Sequence, residues 1–176
     1  MQLNTAVYRI LKQHVAFGRP GGVFVQAGEV ESRGFEADIA TAVTSKWRIN
    51  AGYAFTDAQF LDYEESVGEN LRGNTPTFAP RHTFNVWTGY DWQNGFGVNV
   101  GGRYVGRTFA DNGNVFEVGG YGLVNVAVRY RRGPLEYAVN VNNVTDKTYF
   151  VPHLDYAQVY PGEPINVLGT VRVRLK

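Results

Sequence analysis

The chain has 176 residues, no cysteine and a formal net charge of +1. That length suits a single domain. The absent thiols exclude disulfides and thiolate metal sites, and the near-neutral balance offers no basic surface for nucleic acid. Gly 21 and 14% aromatics come without any run of about 20 apolar residues, so no membrane-spanning helix is encoded.

The predicted elements are all strands, taken in order as Thr5–Lys12, Ser32–Ala42, Trp47–Ala58, His82–Trp92, Gly95–Arg107, Tyr121–Arg131, Leu135–Asn143 and Ile165–Leu175. Their connections alternate. Val43–Lys46, Gln93–Asn94 and Arg132–Pro134 are tight, whereas His14–Gly28, Gln59–Arg81, Thr108–Gly120 and Val144–Pro164 are long. In an antiparallel meander successive turns fall on opposite ends, so all the short ones gather at one end. Short turns on one side and long loops on the other mark an outer-membrane barrel.

The faces agree with this reading, because successive strand side chains point to opposite sides. In the strand at His82, Phe84, Val86, Thr88, Tyr90 and Trp92 oppose Thr83, Asn85, Trp87, Gly89 and Asp91. Farther on, Val98, Val126, Val139 and Val171 are expected toward lipid. Asn99, Arg103, Asn125, Arg129, Asn140 and Arg172 are expected toward the lumen. Period-two alternation also describes a soluble β-sandwich, for example a carbohydrate-binding one, with one face in its core. Aromatics near strand ends (Trp47, Phe55, Trp92, Tyr104, Tyr130, Tyr137) and a polar face almost without lysine favour the membrane. Thr5–Lys12 is the weakest strand, since Arg9 falls between Val7 and Leu11.

Other chemistry lacks its residues. His14, His82 and His153 are the only histidines, and no spacing suggests a metal shell. No Ser–His pair is placed for a barrel lipase, and Gly18–Gly22 neither follows a strand nor opens a helix, so it is no phosphate cradle. The expectation is a protein that is not an enzyme, with no metal and no bound cofactor.

Five motifs carry a resemblance. Gly28-Glu29-Val30-Glu31-Ser32-Arg33-Gly34-Phe35-Glu36, Asn74-Thr75-Pro76 with Pro80-Arg81-His82, Gly101-Gly102-Arg103-Tyr104-Val105-Gly106 followed by Asp111, Val141–Tyr149 (VNNVTDKTY) and Pro161-Gly162-Glu163-Pro164 stand in order along the chain. Together they resemble the C-terminal part of the β-barrel of TonB-dependent siderophore receptors. Each motif has a mechanical reason: glycines relieve crowding, Pro80 ends a loop, and Asn143, Thr145 and Asp146 bond nearby backbone where a strand ends. Two departures are Ile165 where the family carries arginine, and the Leu175-Lys176 end where an aromatic residue is usual.

The resemblance implies an all-β, up-and-down antiparallel meander of about eight strands within a barrel of about 22, an open curved sheet when isolated. It implies that residues 1–176 are a C-terminal barrel portion in the bacterial outer membrane, whose plug domain and TonB-binding segment belong to a missing front part, consistent with no signal peptide after Met1. The transported ligand is a ferric siderophore. The partners are TonB through that front part, outer-membrane lipid and the barrel assembly machinery, and alone the chain should not transport. Of the loop aromatics Phe109, Phe116, Tyr149, Tyr156 and Tyr160, the mid-loop Phe116 and Tyr156 are the expected substrate-binding residues. The alternative is a complete small eight-stranded barrel with a structural or adhesion role.

Overall fold

The structure is a computed structural model, described here over residues 1–19, 23–66, 68–153 and 158–174. Its strands are β1 (Gln2–Arg19), β2 (Val23–Ala42), β3 (Trp47–Asp62), β4 (Glu64–Ser66), β5 (Glu69–Asn70), β6 (His82–Asp91), β7 (Phe96–Val105), β8 (Thr108–Phe109), β9 (Glu117–Val118), β10 (Tyr121–Arg132), β11 (Leu135–Asn142), β12 (Phe150–Pro152), β13 (Val159–Pro161) and β14 (Asn166–Val173). Eight form one antiparallel meander in the order β1-β2-β3-β6-β7-β10-β11-β14. The pairs β4-β5, β8-β9 and β12-β13 are small hairpins inside the long connections. Among the described residues no ladder joins β1 to β14, so the sheet is open rather than a closed eight-stranded barrel.

One predicted connection is corrected. His14–Gly28 is not a long loop: β1 runs to Arg19 and β2 starts at Val23, and they stay paired from Gln2↔Ala40 to Arg19↔Val23. Register shifts at Lys12/Val15 and Val15/Ala16 break the two-residue alternation, which hid the strand pattern. Gly18 and Arg19 are thus strand residues, and Pro20–Gly22 lies outside the described residues.

The tight turns follow local chemistry. Thr44 Oγ1 accepts hydrogen bonds from Lys46 N and Trp47 N at the β2–β3 turn. Gly95 takes a φ of 91° at the β6–β7 turn, a left-handed backbone that a side chain would strain.

Cross-strand register arranges the side chains in rows. One face carries Val7–Phe35–Phe55–His82, then Ala37–Tyr53–Phe84–Tyr104, then Ile39–Ala51–Val86, and nearer the tight turns Val98–Val128–Val139 and Phe96–Tyr130–Tyr137–Val171. Trp47 and Tyr90 pair at the turn end. Trp47 and Phe55 are eight residues apart, about 27 Å along a strand, or about 21 Å upright at a barrel tilt of ~40°, close to the ~25 Å apolar band of outer-membrane barrels.

Beyond the Val7 row the same face turns charged: Arg9 stands opposite Arg33, Arg33 opposite Asp57, and Glu31 opposite Gln59. A single layer leaves its apolar face uncovered, with Val7 88% and Val171 63% exposed. The apolar cluster of Phe60, Tyr63 and Leu71, with Val30 against it, lies at the long-loop end.

Candidate ligand-facing end and polar face

The six polar side chains expected toward the lumen share one face by register. Asn99 faces Gly89 and Ala127, Arg103 faces Asn85 and Leu123, Asn125 faces Gly101, and Arg129 faces Gly97 and Ala138. Asn140 pairs with Ala127 and Leu168, and Arg172 with Glu136.

Near the tight turns this face is tied by ions. Asp91 bridges two arginines, Arg129 through a short contact and Arg48 Nη2 at 2.6 Å. Glu136 likewise holds Arg131 at 2.6 Å and Arg172 at 3.2 Å. Gly97 makes the first bridge possible, because a Cβ there would come within 2.6 Å of Asp91 Oδ1 and 2.7 Å of Arg129 Nε.

At the other end the long connections are joined by side-chain amides. Thr75 N donates to Asn114 Oδ1 at 2.8 Å and Asn114 Nδ2 donates to Thr75 O at 2.7 Å; Asn74 Nδ2 donates to Asn112 O at 3.0 Å. These bonds lock the connection between β3 and β6 to that between β7 and β10. Asn143, 3% exposed with φ 48°, organises the next one. Its N–H donates to Asn125 Oδ1, its Nδ2 donates to the carbonyls of Lys147 and Glu163, and Lys147 N donates to its Oδ1. The expected backbone-bonding roles of Asn143 and Asp146 appear here, Asp146 Oδ1 accepting from Ile165 N at 3.0 Å.

Phe116 is presented on a fixed turn. Asp111 accepts from Phe116 N at 2.7 Å and Val115 N at 3.1 Å, and Ala110 N donates to Phe116 O. The ring itself is 58% exposed, beside Val115 at 75%. Tyr156 lies outside the described residues. Tyr149 packs on Tyr121 with ring centroids 4.4 Å apart, and Tyr160 meets His153 edge-on at 4.6 Å. Sequence reasoning missed the amide clasp and the ion bridges; apart from Arg131 and Glu136, five residues apart across the β10–β11 turn, their partners are remote in the chain. Only the motif Asn74-Thr75-Pro76 signalled one side of the clasp.

At the outer end of the charged face, Glu31 is buried between Arg9 Nε at 2.6 Å and Arg33 Nη2 at 2.7 Å. The hydrogen bond from Arg9 holds its carboxyl below the usual carboxylate range, against the opposing effect of burial and with help from Gln59 and Arg33.

A lipid-width apolar face, a polar face tied by ions and loops gathered at one end define the wall of an outer-membrane-type β-barrel. Residues 1–144 match the family described as TonB dependent receptor-like, beta-barrel, and the chain belongs to that family. It is 29% identical to the ferrichrome outer membrane transporter/phage receptor of Escherichia coli over 96% of this chain and 23% of that protein. It is 31% identical to the ferrioxamine receptor of Yersinia enterocolitica over 96% and 24%. The solved structure of the siderophore receptor PiuA from Acinetobacter baumannii superposes with a TM-score of 0.80 at 26% identity, over 97% of this chain and 26% of that one. The chain thus spans about a quarter of the length of these relatives and corresponds to a C-terminal part of the barrel.

Proposed function

We propose that residues 1–176 are a C-terminal wall section of an outer-membrane receptor that takes up ferric siderophores, acting by binding and passage rather than catalysis. In this reading the long connections face the outside, the tight turns face the periplasm, and the ion-tied face lines the lumen. A plug domain and a TonB-binding segment act from the remainder of such a receptor. Lipid contacts the apolar rows, and the barrel assembly machinery inserts the whole. This section alone does not transport.

The observation that carries the ligand reading is the exposed Phe116 ring on a turn fixed by Asp111, in a connection clasped to its neighbour. A ferric siderophore is a bulky polar chelate, and a pre-ordered aromatic binds it without first ordering a loop. Tyr156 is proposed as the second aromatic contact. In the receptor carrying this chain, Phe116→Ala with Tyr156→Ala should weaken ferric-siderophore binding about tenfold, as loss of two aromatic contacts of ~0.5–1.5 kcal/mol each implies. Barrel assembly should be unchanged. Unaltered affinity in the double variant removes both residues from the site.

A further inference from the structure

We infer that Phe78 is a ligand-gripping residue, its ring presented by a strained backbone across the amide clasp from Phe116. The inference rests on the siderophore-receptor reading proposed above and deepens it. It adds an aromatic contact from a second connection, and stability and affinity should move in opposite directions when that residue is changed.

Phe78 has a φ of 62°. For a bulky side chain this left-handed backbone is an outlier. Among the described residues of the β3–β6 connection, the other left-handed positions are glycines, Gly68 at 83° and Gly73 at 88°, which adopt it without steric cost. The left-handed Asn114, Asn143 and Asp146 are compensated, since each of their side chains bonds backbone. A phenyl ring offers no such bond.

The surroundings hold the strain in place. Pro76 and Pro80 bracket Phe78 at two positions on either side. Each proline ring fixes its own φ and biases the residue before it, here Thr75 and Ala79, toward extended backbone. Thr75 is tied to Asn114 in both directions, and Thr77 N donates to Asn112 Oδ1 at 3.4 Å. Backbone strain persists only where neighbouring structure over-determines it, and it gathers at ligand clamps.

Core packing does not claim the ring. Phe78 is 40% exposed and stacks on no other aromatic ring among the described residues. The apolar cluster of the same connection, Phe60, Tyr63 and Leu71, forms without it. Phe78 follows the clasped Thr77 directly, and Phe116 stands two residues after the clasped Asn114. One hydrogen-bonded unit therefore carries a bare ring on each of two connections. Two pre-ordered rings suit the apolar flank of a bulky ferric chelate.

The test uses the receptor carrying this chain, with ferrichrome, ferrioxamine B and a synthetic ferric tris-catecholate as probes. Affinity is measured for those the unmodified receptor binds, and hydrogen exchange is followed over residues 71–81 in the same samples. Phe78→Asn removes the ring and supplies a residue that tolerates the left-handed backbone. It should weaken binding about three- to tenfold and raise amide protection over residues 71–81. Phe78→Leu removes the ring and keeps the strain, so it should weaken binding comparably without that rise. Phe78→Tyr should preserve affinity.

Unchanged affinity in either Phe78→Asn or Phe78→Leu overturns the inference, so the test stands even if one of the two fails to assemble. A parallel loss of affinity and protection in Phe78→Asn overturns it as well, by assigning the ring to packing or to the aromatic girdle. A receptor that binds none of the three probes overturns the siderophore reading and this inference with it. Chelate binding that is indifferent to residue 78 overturns this inference alone.

Discussion

Asn114 and Thr75, 39 positions apart, exchange two hydrogen bonds: the Thr75 amide donates to the Asn114 side-chain oxygen, and the Asn114 side-chain amide donates back to the Thr75 carbonyl. The exchange fills one backbone donor and one backbone acceptor of the neighbouring connection with a single side chain. Asn114 does so from a φ of 59°, a conformation asparagine tolerates better than most residues. Asn114→Ala should therefore cost about 1–3 kcal/mol of local stability, from two bonds of ~0.5–1.5 kcal/mol each. Hydrogen exchange should show amide protection falling together in residues 62–81 and 106–120. A loss confined to 106–120 would mean that the two connections are not mechanically joined.

The two faces predict opposite tolerance of charge. Val126 belongs to the apolar face, paired with Val100 and Val141, and Val126→Arg should hinder assembly by about 2–4 kcal/mol if the site is at mid-depth in lipid. Ala127, between Asn99 and Asn140, is a cleaner control than Asn125, which accepts the Asn143 amide. Ala127→Arg should leave folding yield in lipid vesicles near that of the unmodified chain within the receptor. Similar loss in both variants would argue against lipid on the Val126 side.

The Asp91 bridge predicts a dependence on one glycine. Gly97→Ala places a methyl group against Asp91 Oδ1 and Arg129 Nε and should separate them. Asp91→Asn leaves Arg48 and Arg129 without their shared carboxylate. Each should lower the thermal midpoint of the receptor, by an amount corresponding to about 1–3 kcal/mol for a partly exposed network, and the two together should lower it little further because they break the same contact. Additive losses would show that the two residues act separately.

Glu31 gives a pH dependence with a defined sign. Its carboxyl is held low in the folded protein, so it contributes stability above the unfolded value of about 4.3. That contribution fades as the pH falls through the lower folded value. Limited proteolysis of the outer part of β1 and β2 should accelerate on acidification across this range, and Glu31→Gln should remove that part of the acid response. Acid sensitivity identical in the Glu31→Gln variant would place its origin elsewhere.

Most of the wall strands were legible in the sequence because they keep an apolar residue at every second position over most of their length, as from Phe84 to Trp92 and from Val124 to Tyr130, whereas Thr5–Lys12, interrupted by Arg9, gave the weakest signal. The outer halves of β1 and β2 were not, because the pairing register shifts near Lys12 and Val15, so no single two-residue period runs along the strand, and Gly18 and Arg19 supply no apolar signal. The loop end was legible only where a single residue acts on its own neighbourhood. Asn143 bonds Lys147 four residues on, which local chemistry anticipates, but its bond to Asn125 and the pairing of Asn74 with Asn112 have no sequence period. Phe116 could be named as a mid-loop aromatic, whereas its fixing by Asp111 emerged from the backbone geometry.

Among the described residues the two outermost strands of the sheet are of unequal length, 18 residues in β1 and eight in β14. Were they to zip together, β14 would run out with more than half of β1 still bare. In the proposed barrel, a strand that docks on β1 must itself project far past the apolar band to match it, while one that docks on β14 need only cross that band. The sheet thus carries a directional code at its margins: a tall neighbour belongs on one side and a short one on the other. Shortening β1 to the span of β14 should erase that code and make the wrong closure competitive.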